Sequence, residues 1–270
     1  MLVCTLGDLH LDVVARLERP LVAGADTPAR TLVSAGGQAA NVAAWVAALG
    51  ADARLITKRA DDECGRLAAA ALTQIGVELC GPVVAAGTGV VVSVVGADAE
   101  RSMASDRGVS ADLRADEIDP EWLAGCDHFH VSGYCLAGEP GWSAAQRAAG
   151  LAHAAGATVS VDLAASTVIE ACGAGLFRDL VVALAPEVVF CNEDEERAIG
   201  GAIPGTSWIL KRGARGGSFA GDERPAVPAK AVDATGAGDA LAAGWIVGGA
   251  DLALEAAARC VATVGAMPGG

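Results

Sequence analysis

Short runs of β-branched and apolar residues alternate along this chain with longer alanine-rich stretches, and that rhythm constrains the fold more than any other feature. The runs expected as strands are Leu2–Leu6, Ala53–Thr57, Asp127–Val131, Thr158–Asp162, Val188–Cys191 and Trp208–Lys211. The stretches expected as helices are Asn41–Leu49, Asp62–Ile75, Trp142–Ala155, Thr167–Leu184, Glu193–Ile199, Gly238–Val247 and Leu252–Val264. Such alternation predicts a doubly wound α/β fold, a mostly parallel sheet with helices on both faces. Uninterrupted apolar runs such as Val188-Val-Phe190 fit it, because a strand covered on both sides has no wet face to mark with polar residues.

Two stretches break the rhythm. Residues 13–34 and 89–106 read as extended segments with turns and no intervening helix, which predicts a small β-sheet lid. Gly96-Ala-Asp98 is expected as the hairpin turn between two of its strands. The 270 residues suffice for one large domain, so residues 1–270 are expected as a single unit carrying that lid.

Composition excludes several partners. The chain carries 33 acidic against 19 basic residues, a net charge of −14, with no basic stripe, so nucleic acid and anionic membranes are poor partners. Mean hydropathy is +0.42, yet no uninterrupted apolar run approaches the ~18 residues of a membrane span. The first residues, MLVCTLGDLHLDVV, read as a strand rather than a signal peptide. Eight scattered cysteines without a CxxC pair then fit reduced thiols in a cytoplasmic protein. The histidines lack zinc-ligand spacing; His128 and His130 share one strand face, where a core role is favoured over ligation.

The strongest local motif is Asp233-Ala-Thr-Gly-Ala-Gly-Asp239, ahead of an apolar helical run. Gly236 and Gly238 let a backbone approach a ligand closely. The first N–H groups of a helix have no internal partners and favour an anion, so residues 236–239 read as a phosphate cradle. A carboxylate there repels phosphate, which leaves Asp239 the role of general base on an attacking hydroxyl. The plainer alternative is a glycine helix entry with Asp239 facing the helix dipole.

Two further segments are weaker alone. Ala35-Gly-Gly-Gln-Ala-Ala-Asn41 opens a helix, with Gly36 and Gly37 leaving room for a small ligand and Asn41 able to bond a hydroxyl both ways; a simple helix cap is the alternative. Asn192-Glu-Asp-Glu195 follows a strand at the end where doubly wound sheets hold ligands. Its acids suit Mg2+ bound through water in a phosphate enzyme, or simply the first turn of a helix.

Taken in order, these segments resemble the ribokinase-like family, also called the phosphofructokinase-B family of carbohydrate kinases, across nearly the whole chain. Gly7-Asp-Leu-His-Leu-Asp12 is similar to its first strand and sugar-binding aspartate, and Gly36 to Asn41, continuing to Gly65, to its first signature. Asn192 to Glu195 is similar to its Asn-x-x-Glu motif, Lys211-Arg-Gly-Ala-Arg-Gly216 to the turn bordering the nucleotide, and residues 233–239 to its second signature. The resemblance implies an ATP-dependent phosphotransferase acting on a sugar hydroxyl. Asp239 would be the base, with the N–H groups of Gly236, Ala237 and Gly238 as anion hole. Asp12, Gly36, Gly37 and Asn41 would hold the acceptor, and Lys211, Gly213, Gly216 and Thr235 the nucleotide. Asn192 and Glu195 would organise Mg2+ through its water shell, and Asp233 would help seat a monovalent cation, K+ in many members. It also implies a homodimer paired through the lid, with a monomer the alternative.

The acceptor is less legible. Arg107, where the lid returns to the body, could read a carboxylate or phosphate on an acidic sugar; a solvated or internally paired arginine is the favoured alternative. A nucleoside needs an aromatic slot, for which His10, Phe129 and Tyr134 are the candidates. Loss of Asp239 or its glycines would have pointed to a non-catalytic sugar sensor, which stays an alternative with both present; a dinucleotide-binding dehydrogenase would carry GxGxxG after the first strand, which Gly7-Asp-Leu-His is not.

Overall fold

The computed structural model describes residues 1–96 and 101–269. Its strands are β1 (Leu2–Leu6), β2 (His10–Leu17), β3 (Ala29–Gly36), β4 (Asp52–Ile56), β5 (Arg59–Ala60), β6 (Val77–Cys80), β7 (Val83–Val84), β8 (Val90–Val95), β9 (Arg101–Ser105), β10 (His128–Ser132), β11 (Thr158–Asp162), β12 (Val188–Asn192), β13 (Ser207–Lys211), β14 (Gly217–Phe219) and β15 (Asp222–Arg224). Its helices are α1 (Gln38–Ala48), α2 (Glu63–Ile75), α3 (Gly141–Ala154), α4 (Ser166–Cys172), α5 (Ala174–Ala183), α6 (Glu193–Ile199) and α7 (Ala237–Val261).

The main sheet runs β15-β14-β13-β12-β11-β10-β1-β4-β6, with every pairing parallel except the two that add β14 and β15 at one edge. Strand order reverses between β1 and β10, and a cleft beyond the carboxyl ends is expected at that switch. Period-two alternation sorts the strand side chains onto two faces. Val189 and Cys191 join Leu136, Ile169 and Phe177 on one side. Val188 and Phe190 join Trp45, Leu72 and Ile246 on the other. Burial of this kind contributes about 25 cal/mol per Å² of apolar surface, which is why the strands read as apolar runs.

A separate sheet, order β3-β2-β8-β9, accounts for the two arrhythmic stretches. It starts earlier than the expected residues 13–34, so His10 and Asp12 are strand residues of β2. The expected hairpin turn at 96–98 runs into residues outside those described. Val33 and Met103, which the register puts on opposite faces of this sheet, are both more than half exposed.

Other expectations shift at glycines. The single helix expected over 167–184 is two, α4 and α5, because Gly173 has φ 89° between them. The two helices expected near the C-terminus are both present; they run on as α7, parted at Gly248 and Gly249 by non-helical torsions, and the second ends at Val261 rather than Val264. By length and composition α7 could cross a membrane. The break leaves halves of roughly 17 Å each against ~30 Å of hydrocarbon, and Gly244 lies against Leu252 and Ala253 of the second half. All eight cysteines are free, six of them buried.

Candidate active site

Consecutive parallel strands end in polar side chains: β10 at Ser132, β11 at Asp162, β12 at Asn192 and β13 at Lys211. α7 starts above them at Gly236, which must be glycine on two counts: its φ is 77°, and any Cβ there would stand 2.5 Å from Ala266 Cβ. No side chain caps this start. Of the three N–H groups expected in the cradle, that of Ala237 turns back to the Ala234 carbonyl at 3.3 Å.

Asp239, half-buried in the first turn of α7, accepts a hydrogen bond from Asn41 Nδ2 at 2.7 Å. Its pKa is raised to about 7, first by burial and then by the charge of Asp162; the Asn41 bond and Lys211 oppose the rise. A carboxyl titrating there can take up and release a proton at neutral pH, the property a general base needs. Lys211 Nζ donates to Asp162 Oδ2 at 2.7 Å. Burial disfavours the ammonium, but Asp162, Glu195 and Asp239 outweigh it and push the pKa above the ordinary lysine range. Tyr134 feels the same acids: burial, then Asp239, Glu195 and Asp162, raise its phenol.

Asn192 and Glu195 close on each other. Asn192 Oδ1 accepts from the N–H groups of Asp194 and Glu195, while the Glu195 carboxylate accepts from Asn192 N and Nδ2 at 2.8 and 2.6 Å. This capping box makes a stable start to α6. Burial, with the charge of Asp162 adding to it and that of Lys211 opposing, raises the Glu195 pKa. Asp233 forms the loop before α7: Oδ1 accepts from Thr235 N and Oγ1, and Oδ2 from Gly265 N. Gly213 and Gly216 lie in the turn after β13, both at positive φ.

On the opposite side, Gly37 precedes α1 with φ 110°, its Cα so close to Asp8 that a Cβ would overlap the Asp8 carbonyl oxygen. Gly36 abuts the Asp12 carboxylate in the same way. His10 Nε2 lies 3.0 Å from Asp12 Oδ1. Among the described residues, His10 Nδ1 and Asn41 Oδ1 are buried without a hydrogen-bond partner, and Asp12 Oδ1 has only the His10 ring nitrogen beside it. Unpaired buried polar atoms are costly, and such a set suits a ligand rich in hydroxyls.

Arg107 pairs with Asp8 through Nε and Nη2, at 2.6 and 2.9 Å, and its guanidinium stands 5.8 Å from the Tyr134 ring centroid. The structure thus gives Arg107 the internal partner that was the favoured alternative. His128 and His130 both reach Ser160 Oγ at 2.8 Å inside the sheet; burial lowers their pKa values to about 3 and about 4, so they are neutral core residues. Sequence reasoning missed Asp8 and Asp162. Asp162 carried a readable signal: it is an acid at the carboxyl end of an apolar strand, as Asn192 is a polar residue in the same position.

The profile of the pfkB family carbohydrate kinases matches residues 1–267. The chain belongs to that family. This pfkB-family chain is 34% identical over 277 residues to the ATP-dependent ribose-1-phosphate kinase of Halopiger xanaduensis, covering 96% of this chain and 90% of that protein. It is 39% identical over 168 residues to fructokinase-1 of Zea mays, a match spanning 60% of this chain and 50% of the fructokinase. Among solved structures, the adenosine kinase from Sinorhizobium meliloti superposes with a TM-score of 0.87 at 23% identity, covering 98% of this chain and 95% of that one. A putative ribokinase II from E. coli, solved with ATP and Mg2+, gives 0.81 at 24%, covering 98% and 94%. At these identities the two structures speak for the fold.

Proposed function

We propose that this chain transfers a phosphoryl group from ATP to a hydroxyl of a sugar or sugar phosphate, with Asp239 as general base. The observation that carries the reading is the 2.7 Å bond between Asn41 and Asp239, which joins the first turns of α1 and α7 and puts the carboxylate next to an amide whose Oδ1 is buried and unpaired. Asp12, Asn41 and the bare backbone at Gly36 and Gly37 hold the acceptor. Asp239 takes the proton of the attacking hydroxyl. The start of α7 holds the phosphate, and Lys211, Gly213, Gly216 and Thr235 border the nucleotide.

The polyphosphate fits an uncapped glycine helix start with a lysine beside it. Mg2+ fits on different terms. Among the described residues no group of three acids, histidines or cysteines could hold a metal, and Glu195 is committed to Asn192. The ion is therefore read as arriving on the donor's phosphates and meeting Asn192 and Glu195 through water. When bound it neutralises phosphate charge. The loop ordered by Asp233 is the proposed seat of a monovalent cation.

The relative named as a ribose-1-phosphate kinase supports a pentose or pentose phosphate acceptor. The candidates for a nucleobase slot are spoken for: Phe129 is in the core, His10 sits against Asp12, and Arg107 covers Tyr134. The test is ATP consumption with Mg2+, with and without K+, across ribose, ribose-1-phosphate, fructose, keto-deoxy sugar acids, adenosine, cytidine and pseudouridine. Turnover restricted to sugars or their phosphates is expected. Preference for a nucleoside would reassign the acceptor, and ATP binding without turnover on any of them would favour a sensor.

A further inference from the structure

We infer that Lys211 is a catalytic residue, its ammonium bearing on the phosphoryl group in flight rather than only on the bound nucleotide, and that Asp162 is the positioning residue that aims it. The inference rests on the kinase reading above. It is carried by three observations at the ends of β11 and β13.

First, Lys211 lies against the start of α7. A Cβ built on Gly238 would stand 3.3 Å from Nζ and 3.4 Å from Cδ, so the absence of that side chain brings the ammonium up to the anion cradle. Second, the ammonium is fixed. Asp162 has no exposed surface, accepts from Nζ at 2.7 Å, and is itself held by the Ala164 N–H at 3.1 Å. The Lys211 side chain is 12% exposed. An ammonium has three N–H donors, so the Asp162 bond leaves two for a ligand. Third, the neighbouring cations are spent elsewhere. Arg212 pairs with Glu223, and Arg215 with Glu193, on the outer side of the turn.

A chain of net charge −14 that handles a polyphosphate needs positive charge where the negative charge builds. In the transfer, a lone pair of the acceptor oxygen forms the new P–O bond. The bond from phosphorus to the bridging oxygen breaks, its electron pair leaving on ADP, and the acceptor proton passes to Asp239. Charge on the moving phosphoryl oxygens is what a fixed ammonium stabilises, and a fixed donor in a water-poor site outperforms one that must reorient. Lys211 also holds down the affinity of Asp239 for its proton, so one side chain serves both the base and the group in transfer.

The experiment compares steady-state kinetics of the wild-type chain, K211M, K211R, D162N and the double variant K211M/D162N, using the acceptor the wild type accepts. K211M alone leaves Asp162 buried and unpaired, a strong destabilisation, and the double variant removes both charges to give a folded comparison. The expected result is a fall in kcat of about 100-fold or more in K211M and in the double variant, with KM for the acceptor within about twofold. K211R recovers part of kcat, and D162N loses about tenfold with its acid limb displaced. A folded double variant with wild-type kcat overturns the inference. So does a loss confined to KM for ATP, which would leave Lys211 a binding residue. No turnover by the wild type on any acceptor would defeat the kinase reading itself, and this inference with it.

Discussion

The turns at Gly36–Gly37 and at Gly236–Gly238 are built alike and differ in what they touch. Each opens a helix, each has a glycine at positive φ, and neither helix start has a side-chain cap. At the first, the missing Cβ atoms make room for fixed backbone and for the Asp12 carboxylate. At the second, the Gly238 neighbour is the far end of the Lys211 side chain, which Asp162 holds. The first turn of α1 contributes a neutral amide and that of α7 a carboxylate, and the two are bonded across the gap. The same backbone device therefore abuts fixed backbone on one side and a charged side chain, itself held by Asp162, on the other.

The largest break in that comparison is D239N. It keeps an oxygen for Asn41 Nδ2 but cannot take a proton, and kcat is expected to fall by about 10²–10⁴ or more with nucleotide affinity retained. Turnover near the wild-type level would remove Asp239 as base. Next is G37A, where a Cβ meets the Asp8 carbonyl at a φ of 110°. Thermal or denaturant unfolding should show a loss of about 3–5 kcal/mol, and a wild-type midpoint would mean the turn is not rigid. G238A sharpens the contrast. Lys211 need give by only a few tenths of an ångström, which its Asp162 bond can absorb, so the midpoint should move little while kcat falls about tenfold, less than for loss of a whole donor. Equal destabilisation by G37A and G238A would erase the distinction between the two turns.

Smaller effects concern pH. The kcat profile should rise through a pKa of about 7 as Asp239 loses its proton. N41A removes the bond that favours the charged form, so its acid limb should move to higher pH and kcat at pH 7 should drop severalfold; an unmoved limb would leave Asn41 a ligand-binding residue alone. Stability runs the other way. The folded-state pKa lies above the 3.8 of the free carboxyl. The folded protein therefore holds a proton that the unfolded chain has released, and that contribution is lost as pH rises from about 4 through about 7. D239N lacks this slope and should gain on the wild type by on the order of 8 °C in Tm between pH 4 and pH 8.

The sequence made the sheet legible because burial on two faces leaves a plain mark, and β11 matches its expected residues to both ends. Gly173 was the harder case. Its neighbours favour helix, and only a left-handed torsion, invisible in composition, splits the segment. The small edge strands β14 and β15 are three residues each, too short to carry a period. In the site, Asn41 was expected to bond a hydroxyl both ways; its Nδ2 donates to Asp239, 198 positions away, and its Oδ1 is buried without a partner. Arg107 could be placed at the return to the main body, whereas its pairing with Asp8 depends on how two loops converge. Motifs thus name the chemistry of a position, and the long-range packing that assigns partners has no local signature.

The small sheet is pinned to the body at one edge and backed by α2, against which β2 and β3 pack. Its two chain segments leave and return beside each other, where Arg107 grips Asp8, Ser110 Oγ accepts from Leu9 N–H and donates to the Leu9 carbonyl, and Thr88 bridges Gly108. A panel pinned along one edge and backed by a helix has no free hinge: tilting it must part the packing on α2, and sliding it must tear the pairs at the seam.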